Sequence, residues 1–153
     1  MPFVPHCLKA LLQVNKGTMR IYIAGQYARK LEFREYAQEA EKLGIKVGAD
    51  WLMEDEDPKS KLNESPDEKL VRYSQKDYWD IGACDIFVFF AEDQENQPPR
   101  GGRHVEFGIA MALGKPVVVI GEHENIFHYC PGFHIEHHPN WTSALVKLVN
   151  WVH

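Results

Sequence analysis

Two short runs constrain this chain more than any other feature: residues 85–90 (DIFVFF) and 116–120 (PVVVI). Neither alternates apolar with polar residues, so each is apolar on both faces. Strands of that kind lie in the middle of a parallel sheet that helices cover on both sides. The flanking segments have the spacing of such helices. Phe33, Tyr36, Ala37, Ala40 and Leu43 recur at i, i+3, i+4 intervals before Gly44, which reads as an amphipathic helix with a glycine stop.

Further elements complete the pattern. Residues 20–24 (RIYIA) predict a first strand and 45–52 a second. Pro66 predicts the start of a helix reaching about Cys84, and Gly101-Gly102 lead into another that ends at Gly114. A weaker strand is expected at 133–136, followed by a last helix with Trp141, Leu145, Leu148, Val149 and Val152 on one stripe. The expected fold is therefore α/β: a doubly wound, mostly parallel five-stranded sheet in flavodoxin-like order. Residues 1–18 are expected to form an N-terminal arm ahead of an α/β domain spanning 19–153, and the charged stretch 53–66 an exposed loop. In such sheets ligands bind beyond the carboxyl ends of the strands. That rim falls at residues 25–30, 91–104 and 121–129.

Composition excludes several classes of function. With 153 residues the chain has the length of one domain. Lys and Arg number 17 against 22 Asp and Glu, a net charge of −5 with no basic stripe, which argues against a nucleic-acid partner. Cys7, Cys84 and Cys130 are scattered and odd in number, the pattern of a reducing, cytoplasmic compartment rather than of a disulfide framework. No apolar run approaches the roughly 20 residues of a membrane span. Neither a P-loop nor a GxGxxG signature is present, so no nucleotide cofactor is called for. The histidines His123, His128, His134, His137 and His138 lack convergent ligand spacing and read as strand-end and loop residues rather than a metal site. The four tryptophans read as core or helix-packing residues.

The segment 100–116, RGGRHVEFGIAMALGKP, is the richest in chemistry. Glu106 falls one turn into a helix, where the helix dipole favours an ionised carboxylate. An ionised carboxylate at a ligand rim can attack an electrophilic carbon such as an anomeric centre. The same position also suits an acidic residue that only stabilises the helix. Gly101 and Gly102 would let backbone N–H groups approach a phosphate or sugar, or form no more than a loop. Positions 70, 74, 77, 81 and 84 form one stripe of the preceding helix and turn Asp77 inward, where a carboxyl needs partners or holds a proton. Paired raised and ionised carboxyls suit acid and nucleophile roles, and capping of a neighbouring loop is the alternative for Asp77. Asp80, beside that stripe, reads as a salt-bridging or surface residue.

Taken together, IYIAG at 21–25, the spacing D-x-x-D-I-x-x-x-D-I from Asp77, and GGRHVEFG at 101–108 resemble the nucleoside 2-deoxyribosyltransferase family. The likeness runs from about Met19 to Trp151, takes in ENIFHY at 124–129, and is greatest to small bacterial and phage members with RGGRHVEFG. It implies an enzyme that cleaves the N-glycosidic bond of a (deoxy)nucleoside through a covalent glycosyl-Glu intermediate and passes the deoxyribosyl group to another nucleobase. It places the nucleophile on Glu106, its companion acid on Asp77, and on Tyr22 a hydroxyl that positions the nucleophile. Substrate contacts are expected at Gly25, Gln26, Arg29 and Asp80 on one side of the rim. Gly101, Gly102, Arg103 and His128 are expected on the other. Relatives acting on nucleoside 5′-monophosphates hold phosphate near the glycine turn, and Arg29, Arg100 and Arg103 would suit that role or would pair with rim carboxylates. A nucleoside 5′-monophosphate N-glycosidase using water, or a non-catalytic nucleotide sensor, are the alternatives. The resemblance also implies a homodimer or larger homo-oligomer, with a small-molecule nucleoside or nucleotide as the other partner.

Overall fold

A computed structural model describes residues 18–53, 64–93, 95, 101–122 and 124–152. Most of the expected N-terminal arm, residues 54–63 of the expected loop, Arg100 and His123 lie outside the described residues. The elements are β1 (Arg20–Ala24), α1 (Lys30–Lys42), β2 (Lys46–Val47), α2 (Pro66–Ala83), β3 (Ile86–Phe90), α3 (Gly102–Ala112), β4 (Val117–Ile120), β5 (Ile135–His138) and α4 (Trp141–Val152). The sheet order is β2-β1-β3-β4-β5 and every pairing is parallel. This is the flavodoxin-like winding expected from the apolar runs. All five residues of β3 and all four of β4 are buried.

The register separates the two faces of the sheet. Tyr22 pairs with Phe87 and Phe87 with Val117, so these side chains share one face, as do Ala24, Phe89 and Val119. Helices α2 and α3 cover that face, and Phe107 of α3 lies 5.7 Å from Phe89. The opposite face carries α1 and α4. There Phe33 packs 4.6 Å from Phe90, and Tyr36 stacks on Trp141 at 5.1 Å.

Local chemistry sets the helix ends. Ser65 Oγ accepts from the Glu68 backbone N–H while Glu68 Oε2 accepts from the Ser65 N–H, a reciprocal cap that starts α2. Gly44 and Gly114 follow α1 and α3 with φ of 84° and 67°, the left-handed conformation that ends a helix at little cost only for glycine. Lys115 Nζ donates to the carbonyls of Gly82 and Cys84. It thereby ties the end of α2 to the start of β4.

Four expectations need correction. The strand expected at 45–52 is only Lys46–Val47, followed by a 3-10 turn at Asp50–Leu52. The Asp50 N–H is taken by Asp80 Oδ2, and the Trp51 indole donates to the Ile23 carbonyl, so the backbone folds over the sheet edge and buries Leu52 from a turn. The weak strand is Ile135–His138, not 133–136. His137 and His138 therefore lie in the sheet, where Ile120 pairs with His138. The stripe of α2 holds only at its C-terminal end: Leu70 is 66% exposed, while Ile81 and Cys84 are buried. Trp79, 72% exposed, is not a core residue.

Candidate active site

The first parallel crossover goes to one side of β1 and the later ones to the other, so the reversal point lies between β1 and β3. Tyr22 stands there on β1, fully buried and stacked on Phe87 at 5.4 Å with 7° between the rings. Its Oη donates to Glu106 Oε1 at 3.0 Å. Glu106 enters from the second turn of α3, partly buried. Asp77 of α2 is near enough that its charge raises the pKa of both groups. The structure thus brings Glu106, Asp77 and Tyr22 together on one face of the sheet.

The electrostatics of this trio overturn one expectation. The helix dipole at Glu106 favours an ionised carboxylate. Burial first, and the charge of Asp77 second, push its pKa up to about 8, against a smaller lowering by the Tyr22 hydroxyl. The Tyr22 phenol is itself raised well above its ordinary value, by burial and then by Glu106. The trio therefore holds a protonated carboxyl at neutral pH.

Such a trio could come from any doubly wound fold, so the likeness of the whole chain to known structures matters. A 2-deoxyribosyltransferase of Bacillus psychrosaccharolyticus superposes with a TM-score of 0.57 at 20% identity, covering 82% of this chain and 90% of that one. This chain shares the fold of a known 2-deoxyribosyltransferase. A CMP N-glycosidase of Clostridium botulinum superposes with a TM-score of 0.53 at 22% identity, covering 84% and 97%. A conserved protein of Enterococcus faecalis V583 gives 0.51 at 19% identity, covering 86% and 88%. No family model matches the chain, and comparison with curated sequences finds no match.

Set against the deoxyribosyltransferase fold, the remaining rim residues divide. Gly25 follows β1 where a Cβ would meet the Phe33 ring at 2.3 Å, so α1 packing by itself requires glycine there. Gln26 is half-buried, and its carbonyl accepts from the Arg29 N–H. Gly101 and Gly102, at the start of α3, have no atom of the described residues within 4 Å of an added Cβ. Asp80 is only 7% exposed, which corrects the surface alternative. It pairs with Arg20 at 3.8 Å and accepts from the Asp50 N–H, and burial raises its pKa.

Both described rim arginines are held by carboxylates. Arg29 grips Glu32 through Nε at 2.8 Å and Nη2 at 2.6 Å, and reaches Glu92 Oε1 through Nη1 at 2.7 Å. Arg103 donates through Nη2 to Glu124, with both side chains almost wholly buried. The alternative of paired arginines, not open phosphate binders, is what the structure contains.

His128 does not join the trio. It lies 1% exposed between Phe89 and Phe107, with ring distances of 4.6 and 4.7 Å. Burial, then the charges of His104, His137 and Arg103, lower its pKa to about 4, so the ring is neutral. The rim residues that reading the sequence missed are Glu92, Glu124 and Asn125. One signal was available: Glu124, Asn125 and His128 repeat the spacing of Arg103, His104 and Phe107. Among the described residues no group of three or more His, Cys, Asp or Glu could hold a metal ion, and no helix is long and apolar enough to cross a membrane.

Proposed function

We propose that this protein cleaves the N-glycosidic bond of a deoxynucleoside and transfers the deoxyribosyl group to another nucleobase. The observation that carries this reading is the Tyr22–Glu106 hydrogen bond, at the reversal point of the sheet and beside Asp77. In the first step Glu106 attacks C1′, forming the glycosyl ester as the bond from C1′ to the base nitrogen breaks, and Asp77 protonates the departing base. In the second step an incoming base attacks C1′, its N–H proton passing to the Asp77 carboxylate as the ester bond to Glu106 breaks, with net retention after two inversions.

The first step needs an ionised Glu106 and a proton on its neighbour. The free protein holds a proton on Glu106 until about pH 8. Passing that one proton from Glu106 to Asp77 supplies both the nucleophile and the acid, so the pair acts as a unit. Tyr22 assists by donating to the ionised oxygen.

The pairing of Arg29 and Arg103 with carboxylates favours a substrate without a 5′-phosphate. A second reading, hydrolysis of a nucleoside 5′-monophosphate, draws support from the open backbone at Gly101 and Gly102 and from the likeness to a CMP N-glycosidase. A homo-oligomer is part of the proposal. It is supported by exposed apolar residues on α2 and α3, with Trp79 at 72%, Leu70 at 66% and Val105 at 65%, and sedimentation tests it.

The experiment is a chromatographic panel of deoxyribonucleosides, ribonucleosides and their 5′-monophosphates, with and without acceptor base, beside a Glu106→Ala control. A new nucleoside formed only with acceptor supports transfer. Base released from the monophosphates alone supports the second reading. Ligand binding without turnover refutes both and leaves a sensor.

A further inference from the structure

The first turn of α3 has no side-chain cap from its own N-terminal residue, Gly101. It is held from outside, by the loop after β4. Arg103 donates to Glu124 Oε1. Asn125 Nδ2 donates to His104 Nδ1 at 3.2 Å, which leaves the His104 Nε2–H facing Glu124 Oε1 at 3.4 Å. Phe107 meets His128 edge to face at 4.7 Å. Residues 103, 104 and 107 are thus matched one for one by 124, 125 and 128.

Glu124 is the centre of this arrangement. Its side chain is 1% exposed, and its second oxygen accepts from the Glu92 backbone N–H at 3.0 Å. One carboxylate therefore joins the loop after β3, the loop after β4 and the start of α3. Asn125 meanwhile accepts from the Phe127 N–H and shapes the 3-10 turn Ile126–Tyr129 that carries His128. Glu106 lies one turn beyond Arg103 on the helix so fixed.

We infer that Glu124 is a positioning residue: it clamps the first turn of α3 to the loops after β3 and β4, and so holds Glu106 in reach of Tyr22. The catalytic consequence rests on the reading of Glu106 as nucleophile. The clamp itself does not.

The test is amide hydrogen exchange of the full chain without substrate, for wild type, Glu124→Ala and Glu124→Gln. Residues 102–107 and 124–129 are expected to exchange at least about tenfold faster in Glu124→Ala, with β1 and β3 unaffected, because only the local opening is made easier. Glu124→Gln keeps the side-chain shape but only one of the two accepting oxygens, and is expected to restore part of the protection. In turnover, Glu124→Ala is expected to lower kcat by about 10- to 100-fold with KM nearly unchanged, the cost of a nucleophile displaced by about 1 Å. Wild-type protection at 102–107 in Glu124→Ala overturns the clamp. A rise in KM with that protection intact also overturns it and makes Glu124 a substrate contact. Should wild type show no turnover, the functional reading falls while exchange still decides the clamp. If Glu124→Ala does not fold, Arg103→Met/Glu124→Leu keeps the buried volume apolar, a replacement buried ion pairs often tolerate. Faster exchange confined to 102–107 then supports the clamp, and unchanged exchange overturns it.

Discussion

Replacing Tyr22 by Phe removes one oxygen from a fully buried ring and leaves its stack on Phe87 in place. What it takes away is the donor to Glu106 Oε1 at 3.0 Å. That bond favours the ionised carboxylate and opposes the burial and Asp77 charge that hold the pKa near 8. A hydrogen bond to a charged acceptor contributes about 1.5–3 kcal/mol. At about 1.4 kcal/mol per pH unit, the Glu106 pKa should rise by about one to two units in Tyr22→Phe. Because turnover uses the one proton that Glu106 passes to Asp77, kcat/KM in wild type is level up to about pH 8 and falls above it as the pair loses that proton, and in the variant this falling limb moves to higher pH. At pH 7 the variant should be about 10- to 100-fold slower, because moving the proton from Glu106 to Asp77 no longer gains that hydrogen bond to the ionised carboxylate. The assay is kcat/KM for base release across pH 5–10, with circular dichroism to confirm the fold at each end. A limb that stays in place, or moves to lower pH, refutes the reasoning, because it would mean that the Tyr22 hydroxyl does not act on the titrating group.

Asp77→Asn removes both the charge that raises Glu106 and the group that takes its proton, so its kcat/KM should rise with pH as Glu106 ionises, at a lower pKa than in wild type. It should also lower the plateau about 10²- to 10⁴-fold if Asp77 protonates the leaving base. Glu106→Ala should abolish turnover by several orders of magnitude while ligand still binds, read by calorimetry beside the kinetics. Because the folded pKa of Glu106 lies above its ordinary 4.5, its contribution to stability is full below about pH 4.5 and is lost as pH rises through about 8. The total is on the order of 5 kcal/mol. Urea titrations at pH 5 and 8.5 should show that loss in wild type and not in Glu106→Gln. Gly25→Ala should destabilise by about 1–3 kcal/mol through its collision with Phe33, whereas Gly102→Ala, which meets no described residue, should leave the melting temperature nearly unchanged. A higher KM in Gly102→Ala would locate substrate at the start of α3.

The layered sheet was legible because its signal is redundant. An apolar run such as 86–90 cannot be placed anywhere but between two helical layers, and the glycines at 44 and 114 punctuate the helices around it. What escaped the sequence depends on partners distant along the chain. The expected second strand failed because Asp80, 30 residues away, competes for the Asp50 N–H, and Trp51 turns its indole onto the end of β1. A propensity reading sees only that residues 45–52 are apolar enough to be buried, and a turn satisfies that as well as a strand. The two readings of the arginines stay open in the sequence for the same reason. As residue types, Arg29 and Arg103 suit phosphate. Only the folded chain shows that Glu32, Glu92 and Glu124 converge on them.

The ionisation of Glu106 is the instructive case, since the sequence argument was sound in kind and wrong in magnitude. A carboxylate near a helix N-terminus is stabilised by typically 0.3–1 kcal/mol, which is less than one pH unit of lowering. Against it stand the loss of water around a half-enclosed carboxyl and a second negative charge from α2, which together carry the pKa from 4.5 to about 8. The larger effect wins. It was hidden because nothing local to residues 101–108 encodes it: the burial comes from α3 lying on Tyr22 and Phe87, and the charge from a helix that begins 40 residues earlier. A nucleophile that must first give up a proton works only if a neighbouring group can take it and use it. The acid needed at the departing base is that neighbour, so the same proximity that raises Glu106 also provides the route by which it is discharged.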